Sequence, residues 1–135
     1  MRKRVNVFFY GLFMDERLLR EKGLNPQNRR MAFVENVSLV VGARASLVRS
    51  HGSRVYGVLF SLEQHEVDML YSDDSVSAYR PERVVANLAD GGVASALCYN
   101  LPTPQTEDRN PQYVSKLRSL AENIGLPQSY VSSIQ

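Results

Sequence analysis

The residues from Val5 to Asp15 constrain this chain more than any other stretch. Val5, Val7, Phe8, Phe9 and Tyr10 are β-branched or aromatic and suit a pleated, half-buried surface. The run is too short, and ended too soon by Gly11, to be a helix, so it predicts a first strand. Gly11 has access to backbone angles closed to other residues. A turn there is expected to leave the N–H groups of Leu12 and Phe13 facing a pocket. Asp15 then caps a helix over Glu16 to Lys22, with Gly23 near its stop. Strand, glycine turn and helix start make a corner where unpaired N–H groups converge and can hold an anion. An ordinary buried first strand with a tight exit has the same pattern.

With 135 residues the chain is expected to form one domain, 1–135, with a sizeable core. Its formal charge is only +2, and its basic residues are scattered apart from Arg2-Lys3-Arg4 and Arg29-Arg30. No basic run is interleaved with aromatics, which argues against nucleic acid as a partner, and the N-terminal cluster is read as solvating the chain end. Asn6 and Gly11 interrupt any signal-peptide pattern, and no apolar stretch is long enough to span a bilayer. The single cysteine, Cys98, lies in an apolar strand pattern and reads as a buried, inert thiol; a cytoplasmic location fits it best.

Further along, Ala32 to Val41 and Ala43 to Val48 read as strands, and His51-Gly52-Ser53 as a turn. Arg54 to Phe60 returns as a strand with Gly57 inside it, where another backbone or a ligand comes close. Ser61 with Gln64 predicts a capping box and a helix to Leu70, burying Val67, Leu70 and Tyr71. Tyr79 to Ala89 and Val93 to Leu101 are strands joined by a turn at Asp90-Gly91-Gly92. Pro102 to Pro111 reads as loop. Tyr113, Leu117, Leu120, Ala121 and Ile124 recur at helical spacing up to the Gly125-Leu126-Pro127 stop, and Ser129 to Ile134 forms a last short turn. This order favours an α+β fold with a mixed or closed sheet and helices packed around it.

The sequence has no His/Cys cluster with metal spacing, no phosphate loop and no Gly-x-Ser-x-Gly elbow. His51 falls in a turn and His65 on an exposed helix face, so acid–base work is left to carboxylates. Asp73 and Asp74 close a helix just before Tyr79, and adjacent acids of this kind also serve simply to solvate a loop. Glu82, three residues past Tyr79, should face the other side of its strand unless a bulge intervenes.

Taken together, these pieces resemble the γ-glutamylcyclotransferase superfamily, including its plant avirulence-induced branch. Phe9-Tyr10-Gly11-Leu12-Phe13 is similar to the family's Tyr-Gly-Ser-Leu loop, and Val55 to Phe60 to its V-x-G-x-x-[FW] strand. Leu70 to Val76 falls where the family has Leu-Asp-x-x-Glu-Gly-Val, and Tyr79-Arg80 where it has Tyr-Arg. Asn110-Pro111-Gln112-Tyr113 and Gly125 to Tyr130 resemble its C-terminal P-x-Y and G-L-P-x-x-Y. The resemblance spans nearly the whole chain.

It implies a small mixed β-barrel with flanking helices, a cavity at the barrel mouth and no cofactor or metal. It also implies a γ-glutamyl amine or amino-acid conjugate as substrate, cyclised to 5-oxoproline with release of the amine. Tyr10, Gly11, Leu12 and Phe13 would form the carboxylate-binding loop, Asp73 or Asp74 the acid–base group, and Tyr79 part of the cavity wall. Two departures bear on activity. Leu12 stands in place of the loop serine, and an aspartate in place of the catalytic glutamate: Asp74 counting from Leu70, Asp73 counting back from Tyr79. The rival expectation is a non-catalytic small-molecule binder or interaction module on the same fold. A carboxylate sharing one cavity with free backbone amides separates the two.

Overall fold

The structure, a computed structural model, describes residues 3–102 and 110–134. The element order is β1 (Arg4–Phe9), a 3₁₀ turn (Leu12–Met14), α1 (Glu16–Glu21), β2 (Gln27–Val41), β3 (Ala45–Glu63), α2 (Gln64–Leu70), β4 (Arg80–Leu88), β5 (Val93–Asn100), α3 (Pro111–Ile124) and α4 (Gln128–Ser133). The strands close into a barrel in the order β1-β3-β2-β4-β5. Neighbours run antiparallel except β1 and β5, which meet in parallel at Val7 and Leu97 and make the sheet mixed. Most of the loop expected over Pro102 to Pro111 lies outside the described residues.

The aromatic opening run forms the expected first strand, and its side chains explain why it belongs at the centre. Phe8 and Val7 are fully buried with Phe60, Leu59, Leu62 and Val58 from β3, and Met14, Leu19, Val67 and Leu117 close the core from the turn and the helices. Each such side chain contributes roughly 1.5–3 kcal/mol by leaving water. Gly57 marks a close approach, as its place in the strand pattern predicts. A β-carbon there would lie 2.2 Å from the Phe9 carbonyl oxygen and 2.8 Å from Phe8 Cζ. Only a residue without a side chain lets β1 lie this close to β3.

Two local expectations are corrected. The predicted break at His51-Gly52-Ser53 is instead a bulge inside one 19-residue strand, β3. Gly52 (φ 81°) and Asn36 (φ 63°) take left-handed angles opposite each other, and the Gly52 amide donates to Asn36 Oδ1 at 3.1 Å. The irregularity is thus absorbed without ending the β2–β3 ladder, which resumes at Val37 and Arg49. The cap of α2 also sits two residues later than predicted. Ser61 and Leu62 still pair with β1, and the buried carboxylate of Glu66 accepts the Glu63 amide at 2.9 Å and the Asn25 amide at 2.5 Å. Ser61 serves the N-terminal strand instead, since its Oγ and carbonyl accept Arg4 Nε and Nη2 at 2.9 and 2.7 Å. Arg4 therefore ties β1 to β3 rather than merely solvating the chain end.

The remaining elements follow their sequence signals. Asp15 caps α1 by accepting the Arg17 amide at 3.0 Å. Gly125 ends α3 in the left-handed region at φ 95°. Asn110 caps that helix through the Tyr113 amide, placing Tyr113 in its first turn, over the barrel mouth. Among the described residues no helix is long and apolar enough to cross a membrane.

Candidate functional site

At the mouth of the barrel is a cavity of about 330 Å³. The end of β1 supplies Phe8, Phe9 and Tyr10, and the turn that follows supplies Gly11, Leu12 and Phe13. Leu18 of α1 and Lys22 just beyond it line one side, with Arg44 and Ala45 at the β2–β3 connection. Tyr71, Ser75, Val76 and Tyr79 reach in from the segment after α2, Tyr99 from β5 and Tyr113 from α3. The five residues expected to form the binding loop and wall, Tyr10, Gly11, Leu12, Phe13 and Tyr79, thus line one cavity.

The walls are aromatic and preassembled. Tyr71 and Tyr99 stack with centroids 3.9 Å apart and planes 9° from parallel. Phe13 meets Tyr71 edge-on at 6.1 Å, and Tyr79 lies 6.2 Å from Tyr71. Two of the tyrosine hydroxyls, those of Tyr10 and Tyr79, are hydrogen-bonded to protein atoms. Tyr10 donates within reach of the Tyr99 carbonyl (2.8 Å) and Asn100 Oδ1 (3.0 Å), while Tyr79 donates to the Ala45 carbonyl in a short bond. Burial raises the pKa of Tyr10 and Tyr71 well above the ordinary phenol value and pushes Tyr79 up to about 12. These rings are neutral, and most of their polar atoms are already engaged.

Gly11 has a different role from the one its sequence context predicts. Its φ of −111° is open to other residues, so backbone freedom is not what requires glycine. A β-carbon there would sit 2.6 Å from the Tyr113 hydroxyl, so the end of that side chain would have to shift to admit one. The Leu12 amide acts on that same hydroxyl, opposing the larger upward push of burial on the Tyr113 pKa. Of the two amides expected to be free, that of Leu12 therefore faces a phenol oxygen from α3.

The acids lie apart from the other expected site residues. Asp73 and Asp74 are both exposed, and neither lines the cavity. The Asp73 carboxylate turns back on its own loop, accepting the Ser75 amide at 2.9 Å and Ser75 Oγ at 2.7 Å. Those two bonds, hydroxyl first, hold its pKa below the ordinary carboxylate value. The tight turns from Asp73 to Val76 and from Val76 to Tyr79 bring Ser75 and Val76 inward and leave the aspartates outward. Glu82 does not line the cavity either, but it is less remote than its strand parity suggested. It pairs with Cys98, and its Oε2 accepts Asn100 Nδ2 at 3.1 Å, one side chain removed from Tyr10. Among the described residues no aspartate, glutamate or histidine lines the cavity; His51 and His65 are exposed. Cys98 is fully buried, and burial followed by the nearby Glu82 charge pushes its thiol up to about 12. Among the described residues no group of three His, Cys, Asp or Glu side chains is placed to hold a metal ion.

The sequence reading missed the charges on the wall. Lys22 and Arg44 both line the cavity, and they come from segments with no motif to announce them. Arg44 Nη1 donates to the Ser75 carbonyl at 2.7 Å, tying the loop after α2 to the β2–β3 connection, and its other N–H groups have no partner among the described residues.

Comparison with known proteins agrees with this architecture. A structure named gamma-glutamyl cyclotransferase superposes with a TM-score of 0.83 at 18% identity, covering 98% of this chain and 89% of that one. An uncharacterized protein from Homo sapiens gives 0.80 at 19%, covering 98% and 88%. An AIG2-like protein from Mus musculus gives 0.64 at 14%, covering 92% and 84%. At these identities the likeness shows the fold, a γ-glutamylcyclotransferase-like barrel. None of the curated proteins matches the sequence. The AIG2-like family profile matches residues 54–134, more than half of the 135, and takes in β3 from the bulge onward, the loop with Asp73 and Asp74, and both C-terminal helices: the chain belongs to the AIG2-like family.

Proposed function

We propose that this protein binds a small molecule in the cavity at the barrel mouth and does no proton-transfer chemistry on it. One observation carries the reading: among the described residues the cavity is walled by aromatic rings and two cations, with no carboxylate or imidazole lining it. A carboxylate or imidazole acting as general acid or base must come within about 3 Å of the proton it moves, directly or through one water. A preformed, largely apolar hollow with a few charged groups is what a small-ligand site requires.

A second reading, cyclisation of a γ-glutamyl amine to 5-oxoproline, is favoured by a different observation. Asp74 directly precedes Ser75 and Val76, which do line the cavity, so a local rearrangement of the loop would bring its carboxylate to the rim. In that reaction the substrate's α-amine attacks its γ-carbonyl, and the acid takes the proton and returns it to the departing amine. The experiment is a direct one. Purified protein is incubated with γ-glutamyl anilides and γ-glutamyl amino acids and 5-oxoproline is quantified, while ligand binding is followed by chemical-shift changes at Tyr71, Tyr79 and Tyr99. The binding reading expects no 5-oxoproline from any of them, and chemical-shift changes at these tyrosines once a ligand fills the cavity. Turnover that disappears in Asp74→Asn or Asp73→Asn replaces it with the cyclase reading.

A further inference from the structure

The chemistry of the cavity wall limits what fits inside it. We propose that the ligand is a small aromatic acid, carrying an anionic group and no free ammonium group. The inference rests on the binding reading above and extends it to a ligand class.

The charge argument comes first. Lys22 and Arg44 are the cationic side chains of the wall among the described residues, and no acid stands with them in that lining. Asp73 acts on Lys22 from outside, but its carboxylate oxygen is engaged by Ser75. The Arg44 guanidinium uses Nη1 on the Ser75 carbonyl and keeps donors to spare. A carboxylate entering here finds charge-assisted donors. An ammonium group entering here finds two like charges and, among the described lining residues, no carboxylate to pair with.

The second argument concerns the neutral part of the ligand. The tyrosines give the wall a polar composition on paper, but Tyr10 and Tyr79 spend their hydroxyls on Tyr99, Asn100 and Ala45. What they present to the cavity is ring surface. The stacked Tyr71–Tyr99 pair, with Phe13 edge-on against it, is a fixed aromatic platform that suits another ring better than a flexible chain. The space, about 330 Å³, accommodates one ring with a short acid arm.

Titration calorimetry of the full chain with four matched probes tests this: 3-phenylpropanoate, phenylalanine, phenethylamine and 3-cyclohexylpropanoate. The expected order places 3-phenylpropanoate first, about tenfold or more ahead of phenylalanine, with phenethylamine last. The cyclohexyl acid should be several-fold weaker than the phenyl acid. Arg44→Gln and Lys22→Gln should each weaken the acid and narrow its lead over the amine. If phenylalanine or phenethylamine equals the acid, the charge assignment is overturned. If the cyclohexyl acid equals the phenyl acid, the aromatic assignment is overturned. If no probe binds at millimolar concentration, the binding reading itself falls. If the probes bind in another order, only the ligand class does.

Discussion

Replacing Gly57 with alanine tests the structural logic of the barrel at its tightest point. The added β-carbon would lie 2.2 Å from the Phe9 carbonyl oxygen and 2.8 Å from Phe8 Cζ. A carbon–oxygen contact is normally above 3 Å, so the strands must separate by roughly an ångström, and the first obstacle is backbone that cannot rotate away. Separation strikes the β1–β3 ladder at Phe9 and Val58, next to the Gly11 turn. Overpacking of this kind costs about 1–3 kcal/mol, and losing one ladder hydrogen bond adds about 1 kcal/mol, giving roughly 2–4 kcal/mol in all. For 135 residues the unfolding entropy near Tm is about 0.28 kcal/mol/K, so Tm should fall by roughly 7–14 °C. Differential scanning calorimetry with urea titration measures both quantities. Because β1 ends in the cavity wall, the variant should also bind the aromatic acid more weakly at a temperature where it is still folded. A Tm within 2 °C of the parent would refute the claim that β1 and β3 need a bare backbone at this position.

Other consequences are as direct. Glu66→Ala should destabilise by about 2–4 kcal/mol in urea unfolding, because it removes the buried carboxylate that accepts the part-buried Asn25 and Glu63 amides; Glu66→Gln should cost less, since one acceptor oxygen remains. Stability should fall as pH rises from about 10 towards 12: Tyr79 keeps its proton in the folded state up to about 12, whereas the unfolded chain loses it near 10, so unfolding is favoured across that window. Absorbance at 295 nm should show Tyr10 and Tyr71 ionising only together with unfolding, and smooth titration in a protein that stays folded would contradict their burial. Cys98 should resist thiol reagents at pH 8 until the chain is denatured, and Cys98→Ser should leave ligand affinity within about twofold.

The sequence by itself determined much of the framework. Local signals are strong where one residue type meets a specific backbone demand: Asp15 at a helix cap, Gly125 at a left-handed helix stop, the aromatic run of β1, and Gly57 at a close approach. The order of these signals, with the Tyr10–Phe13 loop, was enough to indicate the α+β barrel and to collect five of the residues that line its mouth. What tertiary structure alone decided is where side chains point and what meets them across the chain. The family resemblance places Asp73 or Asp74 at the site, but the Ser75 bonds to Asp73 and the tight turns around the pair keep both in solvent. Lys22 and Arg44, 22 positions apart and in no shared motif, become neighbours in function only because the barrel brings α1 and the β2–β3 connection to the same mouth. Gly11 and Tyr113 lie about a hundred residues apart, and their contact requires α3 to pack over the end of β1. Capping and strand propensity act over a few residues and can be read from sequence. The charge and shape of a cavity are set by long-range packing, which appears only when the chain has closed on itself.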